Sequence, residues 1–112
     1  MLKLKEALQL DFRVKGSKNA MIEMLQTLPF FSVQEPTMDG LEAAMQKMQN
    51  KYPVSLSYIM RGPDRDNYYS FMIKRSDNNE WIHTVYARSM FEGFAKTVLV
   101  MFGYIKKNFK KE

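Results

Sequence analysis

Few side chains in this chain carry reactive chemistry. His83 is the only histidine among 112 residues, and cysteine is absent, so no thiolate nucleophile, thiolate metal site or disulfide can form. A lone strand histidine, with no partner base or acid beside it, reads as structural. Asp64 and Asp66 sit two apart in a loop and offer a divalent ion two carboxylates. Such an ion needs several more converging ligands, and the flanking residues supply none. Gly16-Ser17-Lys18 falls between two elements as the end of a phosphate-binding loop would. The upstream glycine of that motif is missing, because Asp11-Phe12-Arg13-Val14-Lys15 precedes it, so Ser17 reads as a helix cap. No catalytic residue, metal or cofactor is expected, and the chain is read as a non-enzyme.

The charge balance is more informative. Seventeen Lys and Arg oppose twelve Asp and Glu, for a formal charge of +5. An excess of this size on a small chain favours polyanionic partners. Lys106, Lys107, Lys110 and Lys111 crowd at the end of the last helix, where cations also meet the negative end of the helix dipole. The chain begins with charged residues and no long apolar run follows them, so no signal peptide is expected. The longest apolar stretch, residues 98–102, is far too short to span a bilayer. Together with the absence of cysteine, this points to a cytoplasmic protein with no membrane partner.

The elements that must position these residues follow from periodicity. Leu8, Leu10, Phe12 and Val14 alternate with polar residues and predict a half-buried strand. Met21, Met24, Leu25 and Leu28 predict a helix beginning near Ser17 and closed by Pro29. Residues 30–36 read as a loop carrying Phe30 and Phe31. Met38, Leu41, Met45 and Met48 form one stripe of a helix over 37–51, so these methionines read as core. Val54, Leu56, Tyr58 and Met60 then alternate as the inward face of a strand, with Ile59 as an apolar intruder on its polar face. Residues 62–67 are a loop by composition. Tyr69, Phe71 and Ile73 alternate inward on a second strand, and Asp77-Asn78-Asn79-Glu80 is a tight turn, since Asn tolerates positive φ. The third strand covers 81–86, and its pattern allows either Trp81, His83 and Val85 or Ile82, Thr84 and Tyr86 to point inward. A long helix over 88–107 follows, with Phe91, Phe94, Val98, Met101 and Ile105 as its stripe. Apolar residues beyond that stripe mean that it is buried on two sides or forms a partner surface.

The expected fold is a single α+β domain over 1–112, an antiparallel three-strand meander packed against helices. Residues 1–35 form a strand–helix extension whose strand joins one sheet edge as a fourth strand, and residues 36–112 carry the helix, meander and helix. The helices cover one sheet face and leave the other more polar.

From Pro36 to about Lys107 the order helix, strand, strand, strand, helix resembles the double-stranded-RNA-binding domain. Pro53 opens the first strand as in that family. Gly62-Pro63-Asp64-Arg65 stands where the family carries a Gly-Pro-Asp-His-like turn, and Ala95-Lys96 where it has an Ala-Lys pair on the last helix. Glu92 and Gly93 occupy positions at which the family has lysines, and Arg65 replaces the histidine. The resemblance implies a duplex read by shape and phosphate contacts. In general type the chain also resembles accessory proteins of bacteriophages.

Two functions are therefore expected. The first is association with nucleic acid, duplex RNA or DNA, through Arg61, Arg65 and Lys96, with Lys106 and Lys107 as supporting charge. The alternative is a protein-interaction module, a homodimer or a phage-type inhibitor of a host protein, using an apolar surplus at Phe30, Phe31, Val100 and Tyr104.

Overall fold

In the computed structural model, which describes residues 3–29, 36–61 and 68–109, the chain runs α1 (Leu4–Ala7), α2 (Ser17–Leu25), α3 (Met38–Lys51), β1 (Val54–Arg61), β2 (Tyr69–Arg75), β3 (Trp81–Ala87) and α4 (Met90–Asn108). The three strands form one antiparallel sheet in the order β1-β2-β3, so the α+β class and the meander are as expected. Asn79 takes the positive φ expected of the β2–β3 turn. Helices α3 and α4 start at side-chain caps: Thr37 Oγ1 accepts from the Gly40 amide and Ser89 Oγ from the Glu92 amide, each at 3.1 Å. Such caps satisfy amides that no helical carbonyl reaches.

Helix α4 is the centre of the molecule. Every residue from Glu92 to Met101 is buried, because the sheet lies on one side of it, α3 beside it, and α1 and α2 against the remainder. Its wide apolar surface is therefore core. Phe71 and Phe94 are both buried and meet edge to face at 6.1 Å. The tip of the Phe71 ring also lies against Gly93, so that a Cβ at this position would collide with it.

The N-terminal segment departs from expectation. Residues 8–14 form no strand; one turn of helix over Leu4–Ala7 leads into consecutive turns. Local bonds satisfy its backbone: the Leu8 amide donates to the Leu4 carbonyl, Leu10 to Ala7 and Val14 to Asp11. Arg13 forks onto the Asp11 carboxylate, its Nε and Nη2 both donating. The segment lies beside β3 without a ladder, and the Lys96 ammonium bridges the two by donating to the carbonyls of Leu10 at 2.7 Å and Tyr86 at 3.3 Å. Leu8, Leu10 and Phe12 still pack on the core, whereas Val14, the fourth member of the alternation, is 59% exposed, so the pattern reported burial for three of its four residues and the element wrongly. Ser17 is not a cap; Gly16 holds that position with φ 89°, a left-handed conformation open to glycine.

Two β-bulges decide which side chains reach which sheet face. In β1 the register slips between Leu56 and Tyr58, which pair with Ile73 and Met72 of β2. In β3 it slips between Trp81 and His83, which pair with Lys74 and Ile73. Both irregularities thus flank Ile73. An inserted residue reverses the side-chain alternation beyond it. Val54, Leu56 and Ile59 therefore pack on the helices, whereas Tyr58 and Met60 turn outward, contrary to the even alternation expected from sequence. In β3, Val85 and Ala87 are buried, Ile82 packs on the core, and Trp81 and Tyr86 are exposed. The Leu56 amide beside the first bulge donates to Gln49 Oε1 of α3 at 3.1 Å.

Candidate functional site

The helices occupy one face of the sheet. The residues registered on the other face form cross-strand rows: Met60, Ser70 and Tyr86; Tyr58, Met72 and Thr84; Ser55, Lys74 and Trp81. No member of these rows is acidic. Trp81 is 57% exposed, Tyr86 58%, Met60 55% and Tyr58 45%. Left open among the described residues, this face carries Ser55, Ser70, Lys74 and Thr84, more polar than the helix-covered face as expected, but also a group of aromatic rings and methionines that was not expected.

These rings are held in place by their neighbours. The Trp81 indole Nε1–H donates to Thr84 Oγ1 at 2.9 Å, and the Thr84 hydroxyl donates to Met72 Sδ at 3.3 Å. His83 stacks beside the indole, with ring centroids 6.1 Å apart and planes 23° from parallel, which gives the one histidine a structural contact. Tyr86 meets Tyr68 edge to face at 5.8 Å. Lys74 Nζ stands 6.0 Å from the centroid of the Tyr58 ring, at the outer limit of a cation–π contact.

The residues named from sequence do not converge. Lys96 is 3% exposed and its ammonium is committed to Glu92 Oε2 at 2.8 Å as well as to the Leu10 and Tyr86 carbonyls. An ammonium has three donors, and all three are used, so Lys96 is a structural clip and not a phosphate contact. Arg61 is exposed at the far end of β1, paired in register with Tyr69 on the helix-side row. Lys106 and Lys107 are exposed in the last turn of α4. That turn lies near Arg75, at the other end of the sheet, roughly 20 Å away by strand length. Arg65 and the whole loop at 62–67 lie outside the described residues.

The expected protein interface also changes. Val100 is 5% exposed and belongs to the core. Tyr104 is half-buried; its hydroxyl accepts from Arg75 Nη1 at 3.0 Å and its ring meets Phe109 edge to face. Val100 is enclosed by the elements packed around α4, and Tyr104 keeps only part of its surface open. Phe30 and Phe31 lie outside the described residues.

A cleft of about 470 Å³ opens between residues 8–11 and the β3–α4 junction. Its floor holds the Glu92–Lys96 pair, and Asp11 at its rim is bound by Arg13 and lies 3.7 Å from Arg88 Nε. The cleft's charges are thus paired with one another. Among the described residues no three His, Cys, Asp or Glu side chains converge as metal ligands, and no helix is long and apolar enough to cross a membrane.

Sequence reasoning missed Trp81, Tyr86, Tyr58 and Lys74 as a group. The available signal was Ile59: an apolar residue on the wrong side of an alternating strand marks a change of phase. No family model, curated protein or solved structure matches the chain significantly.

Proposed function

We propose that this chain is a non-catalytic protein that binds nucleic acid across the uncovered face of its sheet. The observation that carries this reading is the face itself: Tyr58, Met60, Trp81 and Tyr86 exposed on the face that also carries Lys74, with no carboxylate in register, on a chain of formal charge +5. A contiguous apolar face left in water on a small domain generally marks a contact site. Aromatic rings beside cations suit a ligand that is both planar and anionic. Arg61 at one end of the sheet and Lys106 and Lys107 at the other extend the positive field beyond the face and would steer a polyanion toward it.

The resemblance to the double-stranded-RNA-binding domain contributes the element order to this reading and little of the grip. At the start of α4, Glu92 and Gly93 stand where that family places phosphate-binding lysines, and Lys96 is occupied internally.

Polarisation of labelled oligonucleotides over a salt series tests the proposal. With about three phosphates neutralised, log affinity should fall against log salt with a slope near −2. Arg61→Glu and the double change Lys106→Glu with Lys107→Glu should each weaken binding. Absence of binding to single strands and duplexes alike at about 50 mM salt, where phosphate contacts are strong, would reject it.

A further inference from the structure

We infer that the ligand of this face is a single strand whose unpaired bases stack on Trp81, Tyr58 and Tyr86, with Lys74 taking the phosphate between the first two. The inference rests on the nucleic-acid reading above and narrows it to one class of ligand.

A base inside a duplex has both faces covered by its neighbours, so exposed rings on a sheet gain nothing from it. An unpaired base offers its face to any aromatic ring, whatever its sequence. The three rings stand on the two outer strands, with Met72 and Lys74 of β2 between them. By strand spacing this puts Tyr58 about 10 Å across the sheet from the β3 rings, with successive rows about 7 Å apart. That area accommodates two or three splayed bases. Phosphates lie between successive bases of a strand, and Lys74 lies between two of the rings, in register with Trp81 and with its Nζ 6.0 Å from the Tyr58 centroid, while Tyr86 stands two rows further along β3.

Preorganisation adds to the case. The indole of Trp81 is fixed before any ligand arrives by the bond to Thr84 and by His83 stacked beside it. A ring already immobilised loses little further freedom on binding. Met60 and Met72 fill the space between rings with adaptable, polarisable side chains, which suits a surface that accepts any base.

Trp81 is the only tryptophan among the 112 residues, so the emission of this chain reports on this face alone. Titration with oligo(dT) and oligo(U) should quench it saturably, and a duplex of equal length should bind at least about tenfold more weakly, since its bases cannot stack here. Tyr58→Ala and Tyr86→Ala, with Trp81 still the reporter, should each weaken single-strand binding by about fivefold or more. Lys74→Gln should reduce the salt slope by about 0.7, one single-strand phosphate. Tyr58 and Tyr86 are exposed, and Lys74→Gln leaves a half-buried stem largely in place, so the thermal midpoints of the variants should stay near that of the parent. Equal binding of duplex and single strand with unchanged emission would overturn the stacking site and leave the nucleic-acid reading standing. No binding of either would overturn both. An oligomer that Trp81→Ala dissociates, in a protein that binds no nucleic acid, would reject both in favour of a protein partner for this face.

Discussion

Gly93 of α4 lies against the tip of the Phe71 ring, so closely that a Cβ at this position would collide with its Cζ and Cε atoms. Phe71 is fully buried and is held from the side by Phe94, so its ring has nowhere to move. Gly93→Ala should therefore destabilise the protein by about 1–3 kcal/mol, the usual cost of overpacking. That cost outweighs the gain in helix propensity, which is at most about 1 kcal/mol. Gly103 provides the control. A Cβ there meets the end of the Leu4 side chain at 3.0 Å, which can yield. Gly103→Ala should thus be far milder in the same urea titration.

The Lys96–Glu92 pair is almost fully removed from water, at 3% and 4% side-chain exposure. Removing one partner strands the other charge, so Lys96→Met should cost about 3–5 kcal/mol. The double change Lys96→Met with Glu92→Leu should recover a large part of that loss, measured by denaturant midpoints in a double-mutant cycle. Loss of nucleic-acid affinity at unchanged stability in Lys96→Met would contradict the structural role given to this side chain.

Truncation tests the phase change in β1. Ile59 packs on the core and Met60 points to solvent. Ile59→Ala should cost about 1–3 kcal/mol, less than a fully buried isoleucine would, while Met60→Ala should stay within about 0.5 kcal/mol. An unbroken alternation would give the opposite order.

Helix α3, β2 and α4 were legible because Met45, Phe71 and Val98 each belong to an apolar set of one clear period. Two things were not. The phase reversals at the bulges depend on two-against-one pairing opposite Ile73, a property of the partner strand that no single strand reveals. The fate of Lys96 depends on carbonyls of Leu10 and Tyr86, brought together only by the fold. Sequence therefore placed the best-looking cation in the site and hid the rings. Ile59 carried the local signal of the first bulge, and Trp81-Ile82 showed only that both faces of β3 were apolar.

Acid titration has a definite expectation at Asp11. Bonds from the Arg13 side chain and amide hold its pKa at about 2, below the ordinary 3.8; the Arg75 side chain lowers Asp77 in the same direction. A carboxylate depressed in the folded state contributes stability above its ordinary pKa, and loses it as pH falls through the folded value. The Asp11 contribution should thus persist to about pH 4 and disappear towards pH 2. Its carboxyl carbon shift should titrate near 2, and in Arg13→Ala should return towards 3.8.

Mapping the amides that move when a single strand binds tests the central claim most directly. In ¹H–¹⁵N spectra recorded with unlabelled oligo(dT), the largest shifts should fall on β1, β2 and β3 and on the Trp81 indole N–H, with the first turns of α3 and α4 little changed. Shifts concentrated on the helices, with the indole signal unmoved, would contradict the account.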